Sequence, residues 1–265
     1  MVDIIQKDGM SLAIFKDIDD YMEYSKDSKY NVKDERWAYS RIGKKKTDEL
    51  LKNGDAQDEL IEMVDKIRDE VAFSNLEGLQ TSFKSCKRRR VFRDEGSDLD
   101  IDRVMSGESE YWSSIKRDGK KEFITLGIQI ALSCGNKAKD FAEQTAIALV
   151  TCEILESLGY GVEIVCLSSV YSSDTDFVEV GEIFTIKKSE DVTDVRAVAS
   201  TSLSGLLREY SFKNSQKIIE GHTGYCKVTS NKFLALTDIN ILIAKQWSNG
   251  DHINYIEKIV KEVTE

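Results

Sequence analysis

Apolar and polar positions change their rhythm near residue 121, and that change organises the chain. After it, Phe123-Ile124-Thr125-Leu126-Gly127-Ile128-Gln129-Ile130-Ala131-Leu132 is a mostly apolar run that predicts a buried strand. Residues 139–158 repeat apolar positions at helical spacing, with Phe141, Thr145, Ala148, Leu149, Cys152 and Leu155 on one stripe and Gly159 as the stop. Val162-Glu163-Ile164-Val165-Cys166-Leu167 is the next strand, and the short connection predicts a βαβ unit with a right-handed crossover. Further strands fit 178–187, 232–237 and 239–244, and further helices fit 203–220 and 252–263, the last capped by Asp251. Strands alternating with helices predict an α/β fold with an open, mostly parallel, doubly wound sheet covered on both faces.

Ahead of that region the pattern predicts helices. Phe15, Ile18, Tyr21 and Met22 recur at helical spacing within 12–25, and Leu50 with Leu51 sits in a short helix that Thr47 caps and Gly54 ends. Asp55 caps a helix over 56–73, whose Leu60, Ile61, Val64, Ile67, Val71 and Ala72 form one stripe. Between 74 and 121 charge dominates, with one strand at 86–92 and one helical turn. The boundary falls near Asp118-Gly119: a helical N-terminal region with a charged connector over 1–119, and an α/β domain over 120–265.

Composition narrows the class. The 265 residues are 41% hydrophobic and 32% charged, which excludes disorder as the overall state. A net charge of −10 excludes a uniformly basic nucleic-acid binder and leaves room for a local basic patch. The opening Met1-Val2-Asp3-Ile4-Ile5-Gln6-Lys7-Asp8 is acidic where a signal peptide needs a basic start, and no run approaches the ~18 apolar residues of a membrane span. The five scattered cysteines read as reduced thiols in a cytoplasm, and two histidines without a Cys-x-x-Cys pair cannot assemble the common zinc signatures. Proline is absent where average usage gives about 13 residues, so turns and helix ends fall to Gly, Asn, Asp and Ser.

In an open α/β sheet ligands bind at the carboxyl ends of the strands, here the loops after 132, 167 and 237. The order strand, Ser133-Cys134-Gly135-Asn136, long helix, Gly159-Tyr160-Gly161-Val162-Glu163-Ile164, Ser200-Thr201-Ser202-Leu203, then Leu236-Thr237-Asp238 resembles the von Willebrand factor A domain. That family builds a metal-ion-dependent adhesion site from Asp-x-Ser-x-Ser, a loop Thr and the Asp of a Thr-Asp pair. By the resemblance, Ser133, Thr201 and Asp238 fit, whereas Ala131 replaces the leading Asp and Gly135 the second Ser. Losing the leading carboxylate removes charge and a ligand that Mg²⁺ needs, so no metal is expected. What the resemblance leaves is a degenerate site whose edge, Ser133, Asn136, Thr201 and Asp238, docks a protein partner. More of the chain is similar to a family of uncharacterised tailed-phage proteins, through Trp37, Thr47–Asp55, Arg90, Gly96-Ser97-Asp98-Leu99-Asp100-Ile101-Asp102-Arg103 and Ser106-Gly107-Glu108-Ser109-Glu110-Tyr111-Trp112. That similarity implies a viral source and a host-cytoplasm location.

Other segments carry weaker signals. Lys87-Arg88-Arg89-Arg90 with Arg93, flanked by Phe83 and Phe92, is either a single-stranded DNA site, cations on phosphates and an aromatic on a base, or a solvated strand edge paired with Asp94, Glu95 and Asp98. Lys44-Lys45-Lys46 and Lys187-Lys188 extend a basic patch if they share its face. Asp98-x-Asp100-x-Asp102 has the spacing of a calcium loop without its Gly and terminal Glu, and no phosphate-loop motif occurs. Gly-x-Ser-x-Gly is also absent, leaving Cys134 and His222 as the first residues to test for chemistry. The expectation is therefore a non-enzymatic adaptor that binds a protein partner, with a nucleic-acid factor that recruits replication or transcription machinery as the alternative.

Overall fold

The computed structural model describes residues 2–26, 28, 43–54, 58–73, 88–93, 98–117, 122–130, 138–172, 179–202, 210–221, 223–226, 229–244 and 251–264. Strands β1 (Asp3–Lys7) and β2 (Met10–Phe15) open the chain, followed by helices α1 (Ile18–Lys26), α2 (Gly43–Lys52) and α3 (Asp58–Phe73). A small unit follows: β3 (Arg88–Arg93), β4 (Asp98–Leu99), α4 (Ile101–Met105) and β5 (Trp112–Arg117). Then come β6 (Phe123–Gln129), α5 (Ala138–Ser157), β7 (Gly161–Ser172), β8 (Glu179–Lys187), α6 (Val195–Ser200) and α7 (Phe212–Ile219). The chain continues through β9 (Thr223–Cys226), α8 (Asn231–Leu234), β10 (Ile241–Ile243) and α9 (His252–Thr264).

Seven strands form the main sheet in the order β1-β2-β8-β7-β6-β10, with β9 paired to the far end of β7; β3-β5-β4 is a separate antiparallel sheet. The expected βαβ unit is present, since β6 and β7 are parallel neighbours joined through α5. The sheet as a whole is mixed, not mostly parallel: β2–β8, β6–β7 and β6–β10 are parallel, whereas β1–β2, β7–β8 and β7–β9 are antiparallel.

The N-terminal region departs from the helical expectation for a local reason. Asp8 and Gly9 both have positive φ, 51° and 76°, which is the two-residue turn that matches the twist of a hairpin. Phe15 closes β2 and only Ile18 onward is helical, so the spacing read over 12–25 spans a strand end and a helix start. The parallel pairing of β2 with β8 sets residues 10–15 in the same sheet as 123–187.

Among the described residues the two faces of the sheet are covered differently. On one face Ala13, Phe15, Leu126, Ile128, Ile164, Cys166 and Phe184 pack with Tyr21 of α1, Leu51 of α2, Val64 of α3, Leu149 of α5, Val198 of α6 and Ile256 of α9. On the other, Leu12, Val165, Leu167 and Ile183 meet Phe233, with Leu236, Ile239 and Leu242 around it. The helix α8 and the residues up to 239 thus lie across this face as a strap.

Residues 232–237 were expected as a strand, and the run Phe233-Leu234-Ala235-Leu236 is apolar enough for either element. Ser230 decides it: its Oγ accepts from the Phe233 N–H at 3.1 Å and starts a helix turn. The strap approaches closely because the sheet beneath lacks side chains at two points. A Cβ on Gly127 would lie 2.9 Å from Ile239 Cδ1, and one on Gly181 would overlap the Phe233 ring.

Gly181→Ala should therefore destabilise the protein by about 1–3 kcal/mol through overpacking, and Phe233→Ala by about 3–5 kcal/mol through the cavity it leaves. The two changes act on one contact, so urea unfolding of the double variant should show a loss smaller than their sum.

Candidate functional site

One buried carboxyl joins three distant segments on the helical face. Glu182 of β8 is fully buried, and its Oε2 accepts a hydrogen bond from Tyr21 Oη at 2.7 Å. Its other oxygen accepts from Ser215 Oγ of α7. Ser211, in the wide π-type turn ahead of α7, shares a hydroxyl–hydroxyl bond with Ser168 of β7, and Asn214 Nδ2 donates to the Tyr21 carbonyl at 2.9 Å. Tyr21 itself stacks on Phe184, with ring centroids 4.4 Å apart. Burial pushes the Glu182 carboxyl up to about 8, against the opposing pull of the hydroxyls of Ser215, Tyr21 and Ser211, so it holds its proton at neutral pH.

Above this node lies a cavity of about 650 Å³. Asp19, Glu23 and Lys26 of α1, Asp48 and Lys52 of α2, and Lys213 of α7 line it, over Met22, Ser25 and Tyr210. Tyr210 Oη donates to Asp48 Oδ1 at 2.6 Å, tying α2 to the turn before α7. Three carboxylates face three ammonium groups, so the wall suits a ligand or side chain of mixed charge better than a polyanion.

The small sheet carries the basic run. Its register sets Arg88 opposite Arg117, Arg89 opposite Lys116, Arg90 opposite Ile115 and Arg93 opposite Trp112. Asp100, once a calcium-loop candidate, instead caps α4 by accepting from the Arg103 N–H at 3.1 Å. The Arg103 guanidinium stands 3.9 Å over the Phe92 ring and pairs with Glu108, locking α4 onto β3. This leaves Leu99, Ile101, Val104 and Met105 exposed at 43%, 66%, 42% and 82%, within seven consecutive residues. Ile101 and Met105, four apart, share one side of the helix.

The residues singled out in the sequence fall in several places. Ser133 and Asn136, the replacements Ala131 and Gly135, and also Cys134, His222 and Lys87 lie outside the described residues. Thr201 is buried at the end of α6, where its Oγ1 donates to the Val198 carbonyl at 2.7 Å and lies 3.5 Å from Thr145 Oγ1. Asp238 is exposed but precedes β10, where Asn240 exchanges hydrogen bonds with Thr125 of β6 at 2.7 and 3.0 Å. Because β10 runs parallel to β6, Asp238 sits at the amino ends of these strands. Of the edge expected from Ser133, Asn136, Thr201 and Asp238 only the last two are described, and Asp238 lies at the amino ends because the strand near it follows it instead of preceding it.

Lys187 does not extend the basic patch either: it is buried, and its Nζ contacts Glu156 Oε1 and the Val162 carbonyl, both at 2.9 Å. Cys152 and Cys166 are buried free thiols; desolvation pushes Cys152 up to about 11 and raises Cys166 further, so neither forms a thiolate.

Sequence reading passed over two features. Glu182 occupies an inward position within the apolar stretch Val180-Gly181-Glu182-Ile183-Phe184 of β8, a signal legible in the sequence. Lys116 and Arg117 acquire meaning only through their register with Arg89 and Arg88.

No helix is long and apolar enough to cross a membrane among the described residues, and none of their His, Cys, Asp and Glu side chains form a group of three that would hold a metal ion. Fold and site together define a mixed α/β protein with a seven-stranded main sheet and a separate three-stranded antiparallel sheet among the described residues. The chain belongs to the family described as Domain of unknown function (DUF7192), whose model matches residues 5–264. Neither the curated proteins nor the solved structures contain a match.

The Glu182 node generates a pH dependence. A carboxyl raised in the folded state from 4.5 to about 8 binds its proton more tightly there than in the unfolded chain, so its contribution favours folding at acid pH. That contribution declines as pH rises from about 4.5 through 8. Chemical denaturation of Glu182→Gln should show a flatter stability profile across this window, with the wild type losing more stability toward pH 8.

Proposed function

We propose that this protein is a non-enzymatic interaction protein that docks a protein partner through the β4–α4 face of its small sheet. The observation that supports this reading best is the exposed set of Leu99 at the end of β4 and Ile101, Val104 and Met105 on α4, a helix that Asp100 and Arg103 fix in place. Apolar side chains gathered on a fixed element mark a binding surface more than scattered ones do. The neighbouring strands bring Arg88, Arg89, Lys116 and Arg117 to one end of the same sheet, on a chain whose net charge is −10. A partner with an apolar centre and an acidic border fits that combination. The motif resemblances supply the setting: a phage-encoded adaptor with an A-domain-like sheet, acting in the host cytoplasm.

A photo-crosslinking residue at position 105 should yield a discrete adduct with one host protein, and Ile101→Glu should abolish it without changing the circular dichroism spectrum. The control is Val192, an 84% exposed apolar position outside the small sheet. Indistinguishable adducts from positions 105 and 192 would contradict the proposal.

The register of β3 with β5 favours a second reading, single-stranded DNA along the basic ribbon, because four cations fall in two facing pairs with Trp112 opposite Arg93. On that reading labelled single strands bind with steep salt dependence. Arg88→Ala with Arg89→Ala should then lower the slope of log K against log salt by about 1.4, at ~0.7 per cation. An unchanged slope in an anisotropy titration removes the ribbon as a DNA site.

A further inference from the structure

We propose that β1 pairs with β1 of a second copy of this chain, antiparallel about a two-fold axis at Ile5, so that two main sheets join into one. β1 is the outer strand of the sheet, and among the described residues β2 is its sole neighbour. All five of its residues are exposed, including Ile4 at 45% and Ile5 at 41%. An edge strand of this kind presents unpaired N–H and C=O groups to whatever strand matches it.

The sequence of the strand, Asp3-Ile4-Ile5-Gln6-Lys7, selects a copy of itself. The pairs Lys7↔Met10, Ile5↔Leu12 and Asp3↔Ile14 alternate inward from the two-residue turn. In such a hairpin the closing pair is hydrogen-bonded, so Asp3, Ile5 and Lys7 direct their backbone groups at β2. Ile4 and Gln6 then direct theirs outward. Laid antiparallel with Ile5 on the axis, Ile4 of one copy faces Gln6 of the other, and these two pairs exchange all four outward hydrogen bonds.

In the same register Asp3 of each copy stands opposite Lys7 of the other, and the two Ile5 side chains meet at the close-spaced, non-hydrogen-bonded position. Sliding by two residues either way retains one hydrogen-bonded pair within the strand and separates both charge pairs. Charges that deter foreign edges are thus complementary only to their own image, which is the self-matching a two-fold interface requires. Five residues of edge make a small interface, so the association is weak and concentration-dependent.

Sedimentation equilibrium of the full chain over a wide concentration range tests this. The average mass should climb from 30.0 kDa toward twice that value. Asp3→Lys sets like charges opposite each other twice and should return the protein to monomer; adding Lys7→Asp restores opposite charges and should restore the dimer. Ile5→Lys places two ammonium groups at the axis and should also give monomer, with a circular dichroism spectrum unchanged because the position is exposed. A constant monomer mass for the unaltered chain overturns the proposal. A dimer indifferent to Asp3→Lys, or one that the double exchange fails to restore, overturns it equally.

Discussion

The hydrogen bond from Tyr21 to the buried carboxyl of Glu182 is the contact on which the arrangement of the helical face depends. It joins residues 161 positions apart, and Ser215 completes the bridge from the opposite side. A buried carboxyl left without such partners would carry the full cost of desolvation, so the three segments are held to one geometry or the core is penalised. That geometry sets α1 against α7 and brings Asp19, Glu23 and Lys26 to the wall of the cavity that Lys213 closes. The opening hairpin is part of the same construction, since Phe15 of β2 packs edge-on against Tyr21 at 5.1 Å.

The opposite face works by different physics. There two missing side chains, at Gly127 and Gly181, let a single strap seal the sheet with Phe233 and Ile239. Buried Glu179 anchors the strap where it begins, accepting from Ser230 Oγ at 2.6 Å and from Ser169 Oγ at 2.8 Å. The main body therefore has buried polar anchors on both faces of β8. The small sheet instead leaves Leu99, Ile101, Val104 and Met105 exposed, which is why the proposed docking face lies there.

Much of the fold was legible where local periodicity and tertiary role agree. Helix α5 and strands β6 and β8 fall close to their predicted ranges because each is long and nearly continuous in its pattern, whereas β7 starts where expected but runs on to Ser172, five residues past the predicted end, through the more polar Ser168-Ser169-Val170-Tyr171-Ser172. The hairpin at the start was misread because Phe15, Ile18 and Met22 happen to fit a helix, although Asp8-Gly9 is itself the dipeptide that favours a two-residue hairpin turn with positive φ at both positions. Residues 232–237 were misread because apolar runs serve strand and strap alike, and the deciding Ser230 cap is a single hydroxyl. The candidate site was less legible still. Asp238 moved to the amino end of the strands with that one error, and the facing of Arg88 by Arg117 follows from strand register, which no window of sequence contains.

Integration of residues 10–26 into the main sheet and its core is the claim from which the cavity, the Glu182 node and the outer position of β1 among the described strands all follow. Native-state hydrogen exchange tests it most directly. The account predicts that the amides of Leu12 and Ala13 in β2 exchange with the same free energy and denaturant dependence as those of Val165 and Cys166 in β7, as members of one cooperative unit. Exchange of the β2 amides through a separate, less costly opening, with β7 still protected, would contradict it.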